Sequence, residues 1–110
     1  MIMSELDKIK IIYEAINKIQ KFTEGLHSVD ELTSDLLIWD AVKMNLVVIY
    51  ETYNKLAPET KEKYNSIEWN KIEENSPNVM NIHLGFDSKL IWKLIWEETP
   101  EFKKRLEEIL

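Results

Sequence analysis

The segment DLLIWDAVKMNLVVIYETYNKL, residues 35–56, carries the most extensive apolar pattern in the chain. Its apolar side chains recur every three or four residues, which predicts one long helix from about Ser34 or Asp35 to Leu56. A helix that is apolar over so much of its circumference is buried on more than one face. Because 110 residues provide few elements to cover it, the pattern indicates a self-association surface. The apolar residues form two seams, the first with Trp39, Val42, Leu46, Ile49, Tyr53 and Leu56, the second with Leu37, Ala41, Met44 and Val48.

The segments around this helix predict further helices. Residues Ser4–Glu24 have one apolar stripe and are followed by Gly25, which can take the positive φ found after a helix C-terminus. Ser28-Val-Asp-Glu31 has the spacing of a capping box and predicts a short helical turn. Pro58 ends the long helix and begins a short one that reaches Tyr64. The stripe of the first helix consists of Leu6, Ile9, Ile12, Ile16 and Ile19.

The C-terminal half begins with a shorter helical pattern. Trp69 and Ile72 give residues 68–74 one apolar face, and Pro77 is unfavourable in a helix interior. Residues 79–82 predict a second short helix or turn that closes at Gly85.

A helix over residues 89–98 follows, with Asp87 and Ser88 both suited to its N-cap. Thr99-Pro100-Glu101 is typical of a helix start, because it offers a cap, a proline at the first position and an early acid. No segment alternates with period two for long enough to predict a strand. The predicted fold class is therefore all-α, an up-and-down helical bundle with short helices between the long ones, formed by a single domain over residues 1–110.

The composition is that of an acidic globular chain, with 45% hydrophobic residues and a formal net charge of -6. Such a surface repels phosphate backbones, so non-specific affinity for nucleic acid should be poor. The chain has no cysteine, which excludes disulfides and thiolate metal sites. No apolar run approaches the roughly 18 residues of a membrane span, and the start has no signal-peptide pattern, so we expect a cytoplasmic protein and no membrane partner.

One stretch departs from this helical background: NSPNVMNIHLGFD, residues 75–87. Polar residues, a proline, a glycine and a histidine gather there between helical patterns. We expect any chemistry of the chain to be located in this stretch.

Six short motifs stand in a fixed order along the chain: Ala41-Val42-x-x-Asn45-Leu46-x-x-Ile49-x-Glu51, Leu56-x-Pro58-Glu59, Trp69-x-x-Ile72, Gly85-x-Asp87, Ile91-Trp92 and Pro100-x-Phe102-Lys103. Together they resemble the HepT-like family of HEPN-domain proteins over essentially the full length. Members of that family are small all-helical toxins encoded beside MNT-type minimal nucleotidyltransferases. The resemblance implies a HEPN-like bundle, a homodimer and such a nucleotidyltransferase as antitoxin partner.

In that family an active-site motif lies between the tryptophan and the aspartate. It contains an arginine, a histidine after four intervening residues, and a tyrosine two residues further on. Two copies face a shared cleft in active homodimers, which resemble metal-independent RNases. Arginine can hold the scissile phosphate, and histidine can move the proton of the 2′-hydroxyl. The resemblance therefore implies neither a cofactor nor a metal.

This sequence keeps the spacing and replaces the catalytic residues. Counting from Trp69 to Asp87 without gaps, the arginine position is Ser76, the histidine position is Asn81 and the tyrosine position is His83. Asparagine cannot exchange a proton near neutral pH, and serine carries no charge. In the family the tyrosine is also the residue that the partner enzyme modifies with nucleotide, a regulation that His83 does not support. The motif is therefore degenerate at Ser76, Asn81 and His83.

Three functions remain open from the sequence. The first is a catalytically degenerate HepT-like protein that serves as a dimeric binding partner of a nucleotidyltransferase, with only weak contact to RNA. The second is a noncanonical metal-independent RNase that uses His83, with Lys71 or Lys89 in the role of the arginine. The third is an interaction protein with no tie to toxin systems.

Other polar residues have structural explanations. A lone histidine without a partner is a weak catalyst, so His83 is expected to bond to backbone, and His27 is expected to be exposed. Asn45 and Glu51 either form a buried polar contact or lie on a solvated face. The four tryptophans are expected to be core or interface anchors.

Overall fold

The structure, a computed structural model, describes residues 3–81 and 85–110, and for residues 76–81 the description covers the backbone. Within these residues, seven α-helices and one π-helical turn follow one another, with a two-stranded ribbon between the fifth and sixth helices. The all-α prediction is confirmed. The elements are α1 (Glu5–Thr23), α2 (Val29–Ser34), α3 (Leu36–Asn54), α4 (Pro58–Lys63), α5 (Trp69–Val79), β1 (Met80–Asn81), β2 (Gly85–Phe86), α6 (Ser88–Lys93), the π turn (Leu94–Glu98) and α7 (Thr99–Ile109).

Helix starts follow the side-chain chemistry of the sequence. The hydroxyl of Ser4 accepts a hydrogen bond from the backbone N–H of Asp7, and that of Ser28 accepts one from Glu31. Asp35 and Asp87 cap α3 and α6 with their carboxylates in the same way. These bonds satisfy N–H groups that have no partner inside the helix. Of the two caps that the sequence offered for α6, the structure uses Asp87.

The core is formed by the seams predicted for α1 and α3. Ile9, Ile12, Ile16 and Ile19 of α1 are buried, whereas Leu6 at the start of the predicted stripe is half exposed. From the first seam of α3, Val42, Leu46, Ile49 and Tyr53 are buried, together with Leu56 just beyond the helix end. The second seam lies outside: Leu37 is 86% exposed and Met44 63% exposed.

Helices α1 and α3 run antiparallel. The Lys8 ammonium near the start of α1 donates to the backbone carbonyl of Lys55, just after the end of α3, at 3.1 Å. At the other end of α1, Gln20 accepts from the ammonium of Lys103 in α7 at 3.1 Å. The start of α1 therefore meets the end of α3, while its C-terminal half packs beside α7.

Two predictions about local structure were wrong. Pro77 does not keep α5 from continuing, because the helix extends to Val79. A proline removes one backbone hydrogen bond, and α5 ends two residues after it, where that loss is smallest. The segment that begins at Met80 was expected to be helix or turn, but its described part forms an antiparallel pair, Met80 with Phe86 and Asn81 with Gly85.

The start of α7 also differs from the prediction. Thr99 already has helical backbone angles, and both its N–H and its hydroxyl donate to the carbonyl of Leu94, five residues earlier. Pro100 has no N–H to offer the preceding turn. One widened π turn therefore joins α6 to α7, where the sequence predicted an N-cap and a new helix.

Glu5 joins α1 to α4. Its Oε1 accepts from the backbone N–H of Ala57 at 2.6 Å and from the hydroxyl of Thr60 at 2.7 Å, while Oε2 pairs with Lys8 at 2.7 Å. Ala57 has no side chain that could cap α4. The carboxylate of Glu5 replaces that cap from another helix. Its pKa is lowered to about 2, mainly by the hydrogen bond from Lys8 and then by those from Thr60 and Ala57.

We predict that Glu5→Gln lowers the melting temperature at pH 7 and flattens its acid dependence. The folded-state pKa lies below the unfolded value, so this stabilisation is present above about pH 4.5 and is lost as the pH falls towards about 2. Thermal unfolding followed by circular dichroism between those pH values measures it. Glu14→Gln on the exposed face of α1 is the matched control. Equal acid dependence in both variants would contradict the assignment.

Candidate functional site

Two of the three residues singled out by the motif lie in α5 and in the first strand of the ribbon. Ser76 lies in the C-terminal half of α5, and Asn81 lies in β1, where it pairs with Gly85. His83 lies outside the described residues. The structure therefore gives the backbone setting of the first two positions, and the convergence of the three side chains stays a prediction.

Trp69 fixes the beginning of α5. It is 7% exposed, and its ring centroid lies 5.8 Å from that of Tyr53 in α3 and 5.9 Å from that of Phe102 in α7. The contact with Phe102 is edge to face, a favourable aromatic geometry. The indole N–H donates to the carbonyl of Tyr64 at 3.2 Å, so the polar end of the ring is also satisfied. Three helices are joined at this residue.

A polar contact next to Trp69 fixes the middle of α5. The hydroxyl of Tyr53 donates to the carboxylate of Glu73, and the ammonium of Lys61 lies 4.0 Å from the centroid of the Tyr53 ring. Burial, followed by the bond to Glu73, raises the pKa of Tyr53 well above its usual value. The phenol therefore stays protonated and remains a donor. Position 76 follows Glu73 by less than one helical turn, so its backbone is set by this contact.

The ribbon is held to α3 by a cation between two rings. The ammonium of Lys43 lies 5.2 Å from the centroid of Trp39 and 5.8 Å from that of Phe86 in β2. Such contacts between a cation and an aromatic face each contribute about 0.5–1 kcal/mol at exposed sites. Both ends of the segment 76–87 are thus attached to the bundle, one through α5 and one through Phe86 and the capped start of α6.

The lysines considered as substitutes for the missing arginine differ in their surroundings. Lys71 pairs with Glu68 at 2.7 Å, and this hydrogen bond raises the pKa of the ammonium. Lys89 is exposed and forms no ion pair within residues 3–81 and 85–110. Lys71 is therefore already neutralised by its neighbour, whereas Lys89 is the more available cation.

Arg105 lies closer to α5 than its place in the sequence indicated. It shares the lining of one cavity with Lys71 and Asn75 of α5. Its guanidinium pairs with Glu101 at 3.2 Å and Glu108 at 3.7 Å. Sequence reasoning missed this placement because only the packing of α7 against α5 brings these positions together. Two carboxylates already hold the guanidinium, so it is a poor replacement for a phosphate-binding arginine.

The remaining polar candidates have structural roles. The side-chain amide of Asn45 donates to the carbonyl of Ala41 in its own helix at 2.8 Å, and Glu51 is exposed. This agrees with a solvated face and not with a buried contact between the two. His27 is exposed as predicted, and its backbone N–H donates to Glu31.

The described residues contain no cluster of metal ligands and no helix that could span a membrane. Among the side chains that the structure describes, no three histidine, aspartate or glutamate residues are grouped to hold a metal ion. Across the described ranges 3–81 and 85–110, every helix is too short or too polar to cross a bilayer.

A helical bundle with a polar segment between its fifth and sixth helices is the arrangement of a HEPN-type domain. The family model described as Ribonuclease HepT-like matches residues 12–109. The chain belongs to this HepT-like family. No solved structure gave a significant match.

Curated relatives agree with this assignment. A Methanocaldococcus jannaschii protein named "Gamma-glutamylcyclotransferase and putative RNase" is 30% identical over 90% of this chain, and the chain spans 44% of its length. A Caldanaerobacter subterraneus protein named "Putative RNase" is 28% identical over 76% of the chain and 74% of its own length. A Thermococcus cleftensis protein named "Probable ribonuclease HepT" is 25% identical, with 96% of each chain covered.

We predict that Tyr53→Phe destabilises the fold by about 1 kcal/mol, because it removes the bond to Glu73 and leaves the ring in place. Urea unfolding followed by tryptophan fluorescence measures the difference. Tyr13→Phe, a half-buried tyrosine of α1, serves as the control and should be nearly neutral. If both variants unfold at the wild-type midpoint, the bond to Glu73 does not stabilise α5.

Proposed function

We propose that this chain is a HepT-like protein in which the RNase centre is degenerate, and that residues 1–110 act as a single dimeric binding domain for a minimal nucleotidyltransferase. The observation that carries the proposal is the pair Ser76 and Asn81, which occupy the positions of the family's arginine and histidine. Neither can balance the charge of a scissile phosphate or transfer a proton near pH 7. His83 in the tyrosine position removes the group that the partner enzyme would modify.

The packing around these positions supports a protein that lacks RNase catalysis and keeps the fold. Trp69, Tyr53 and Phe102 hold α5 in a packed aromatic contact. Lys43 attaches Phe86 to α3. These contacts involve neither position 76 nor position 81, so the residue types at those two positions do not determine the packing. Binding to a partner protein accounts for a retained frame and an acidic surface, whereas an RNA ligand would be repelled by a net charge of -6.

The exposed seam of α3 supports the homodimer. Leu37 is 86% exposed, Met44 is 63% exposed and the neighbouring Leu36 is 69% exposed, while Ala41 and Val48 are half-buried. Large apolar side chains grouped on one helical face are costly to leave in water. A second copy of α3 offers a matching apolar stripe under two-fold symmetry.

The RNase centre is tested by restoring it. We expect the purified wild-type protein to leave a single-stranded RNA substrate uncut, and the triple variant Ser76→Arg, Asn81→His, His83→Tyr to cleave it without added metal. His83→Ala in the wild-type background should change nothing. The control for the triple variant is Ser76→Lys, Asn81→Gln, His83→Phe, which adds charge and bulk without a proton-transfer group.

RNA cleavage by the wild type that stops with His83→Ala would overturn the degenerate assignment and support the noncanonical RNase that uses His83, for which Lys89 is the available cation.

The partner is tested separately. Co-purification with the product of an adjacent nucleotidyltransferase reading frame is the expected result, and failure to bind it would favour an interaction protein outside toxin systems.

The dimer is tested on the α3 seam. We predict that Leu37→Glu together with Met44→Glu raises the dimer dissociation constant at least about tenfold, since two charges would face their copies across the interface. Sedimentation velocity over a range of protein concentrations measures it. Leu6→Glu is the control, because Leu6 is 48% exposed on a different helix. A wild-type chain that sediments as a monomer throughout would refute the proposed dimer.

A further inference from the structure

A cavity of about 170 Å³ lies between α1, α3, α5, the π turn and α7. Its apolar lining comes from Ile16, Leu46, Ile49, Ile72 and Phe102. An apolar cavity of about 150 Å³ is large enough to take up a benzene ring. The space therefore suits one small organic group, such as a six-membered ring or a short carbon chain.

The π turn takes part in forming this cavity. Leu94, Glu97 and Glu98 of the turn, and Thr99 immediately after it, all line the space. A π turn inserts one extra residue into a helix and is found disproportionately at functional sites. Pro100 accounts for where the turn occurs, and the turn places two carboxylate side chains beside the cavity.

Tyr50 contributes a phenol side chain to the lining of the cavity. Its side chain is 5% exposed and lines the space, yet its hydroxyl donates no hydrogen bond to any other residue within the described part of the chain. Burial, and next the nearby carboxylate of Glu98, raises the pKa of Tyr50 to about 12. A cavity-lining hydroxyl that donates no hydrogen bond to the protein is available to a ligand, both as donor and as acceptor.

The charges around the cavity select the kind of ligand. Lys71 is paired with Glu68, and Arg105 with Glu101 and Glu108. Glu97 and Glu98 form no ion pair with any residue in the described ranges. Four carboxylates and two cations line the space in all, which leaves a net charge of -2 from Glu68, Glu97, Glu98, Glu101, Lys71 and Arg105.

We propose that this cavity binds a small organic cation, an ammonium group carried on an apolar body about the size of a benzene ring. The apolar body occupies the space against Ile72 and Phe102. The ammonium lies at the mouth, where Glu98 balances its charge and the hydroxyl oxygen of Tyr50 accepts one of its hydrogen bonds. The rings of Tyr50 and Phe102 add attraction for a cation. This binding is independent of the RNase centre and of the nucleotidyltransferase partner.

The test compares three ligands of nearly equal shape: benzylamine, benzyl alcohol and benzoate. We expect saturable binding of benzylamine to the purified full chain at pH 7, about tenfold weaker binding of benzyl alcohol, and the weakest binding for benzoate. Changes in the ¹H–¹⁵N NMR spectrum measure each affinity and locate the site among α3, α5 and α7. Equal affinity for all three ligands, tighter binding of benzoate, or no binding of benzylamine up to about 10 mM would overturn the proposal.

Two variants separate this site from surface binding. Tyr50→Phe and Glu98→Gln should each weaken benzylamine binding by about fivefold, because each removes one polar contact and keeps the shape. The matched controls are Tyr13→Phe and Glu107→Gln, which do not line the cavity.

Circular dichroism checks that each variant is folded. If Tyr50→Phe does not fold, Glu98→Gln alone decides the result. If the folded variants bind benzylamine as tightly as the wild type, the site is refuted. The site is also refuted if the affinity for benzylamine falls as the protein concentration rises, because a second copy of the chain would then fill the cavity.

Discussion

The packing of Trp69 between Tyr53 and Phe102 is the contact on which the C-terminal half of this protein depends. It joins α3, α5 and α7, which come from distant parts of the chain. Truncation of a buried tryptophan typically costs 3–5 kcal/mol, a large fraction of the stability of a small domain. The helix that carries position 76 begins at this residue, so the geometry of the polar segment follows from it. None of these three rings belongs to the segment 76–87, so the contact does not depend on which residues occupy that segment.

A second constraint acts where α1 meets the end of α3 and the start of α4. Glu5 caps α4 from α1, and Lys8 reaches the end of α3, so the N-terminal turn of α1 fastens two connections at once. Neither contact is hydrophobic. The core of isoleucines on α1 and aliphatic residues on α3 supplies the driving force for packing, whereas these polar contacts set how the short helix α4 is attached.

The π turn links the fold to the proposed ligand cavity. A continuous α-helix over residues 88–109 would place the side chains of α7 differently relative to α5. The extra residue instead places carboxylates of the turn beside the side chain of Tyr50. Helix α5 contributes to both regions, because Ile72 and Asn75 line the cavity and Ser76 follows in the same helix.

The sequence by itself determined the helical class, most helix starts, the two apolar seams of α3 and the place of Ser76 and Asn81 in the motif spacing. These features depend on local spacing, because caps, apolar stripes and motif intervals involve residues close together in the chain. Only the tertiary structure decided which seam of α3 is covered, that α5 continues past Pro77, and that Thr99 lies inside a bulged helix. It also brought Arg105 beside Lys71 and Tyr50 beside Glu98. These outcomes depend on which helices pack together, and no periodicity within one segment encodes the partner that another segment provides.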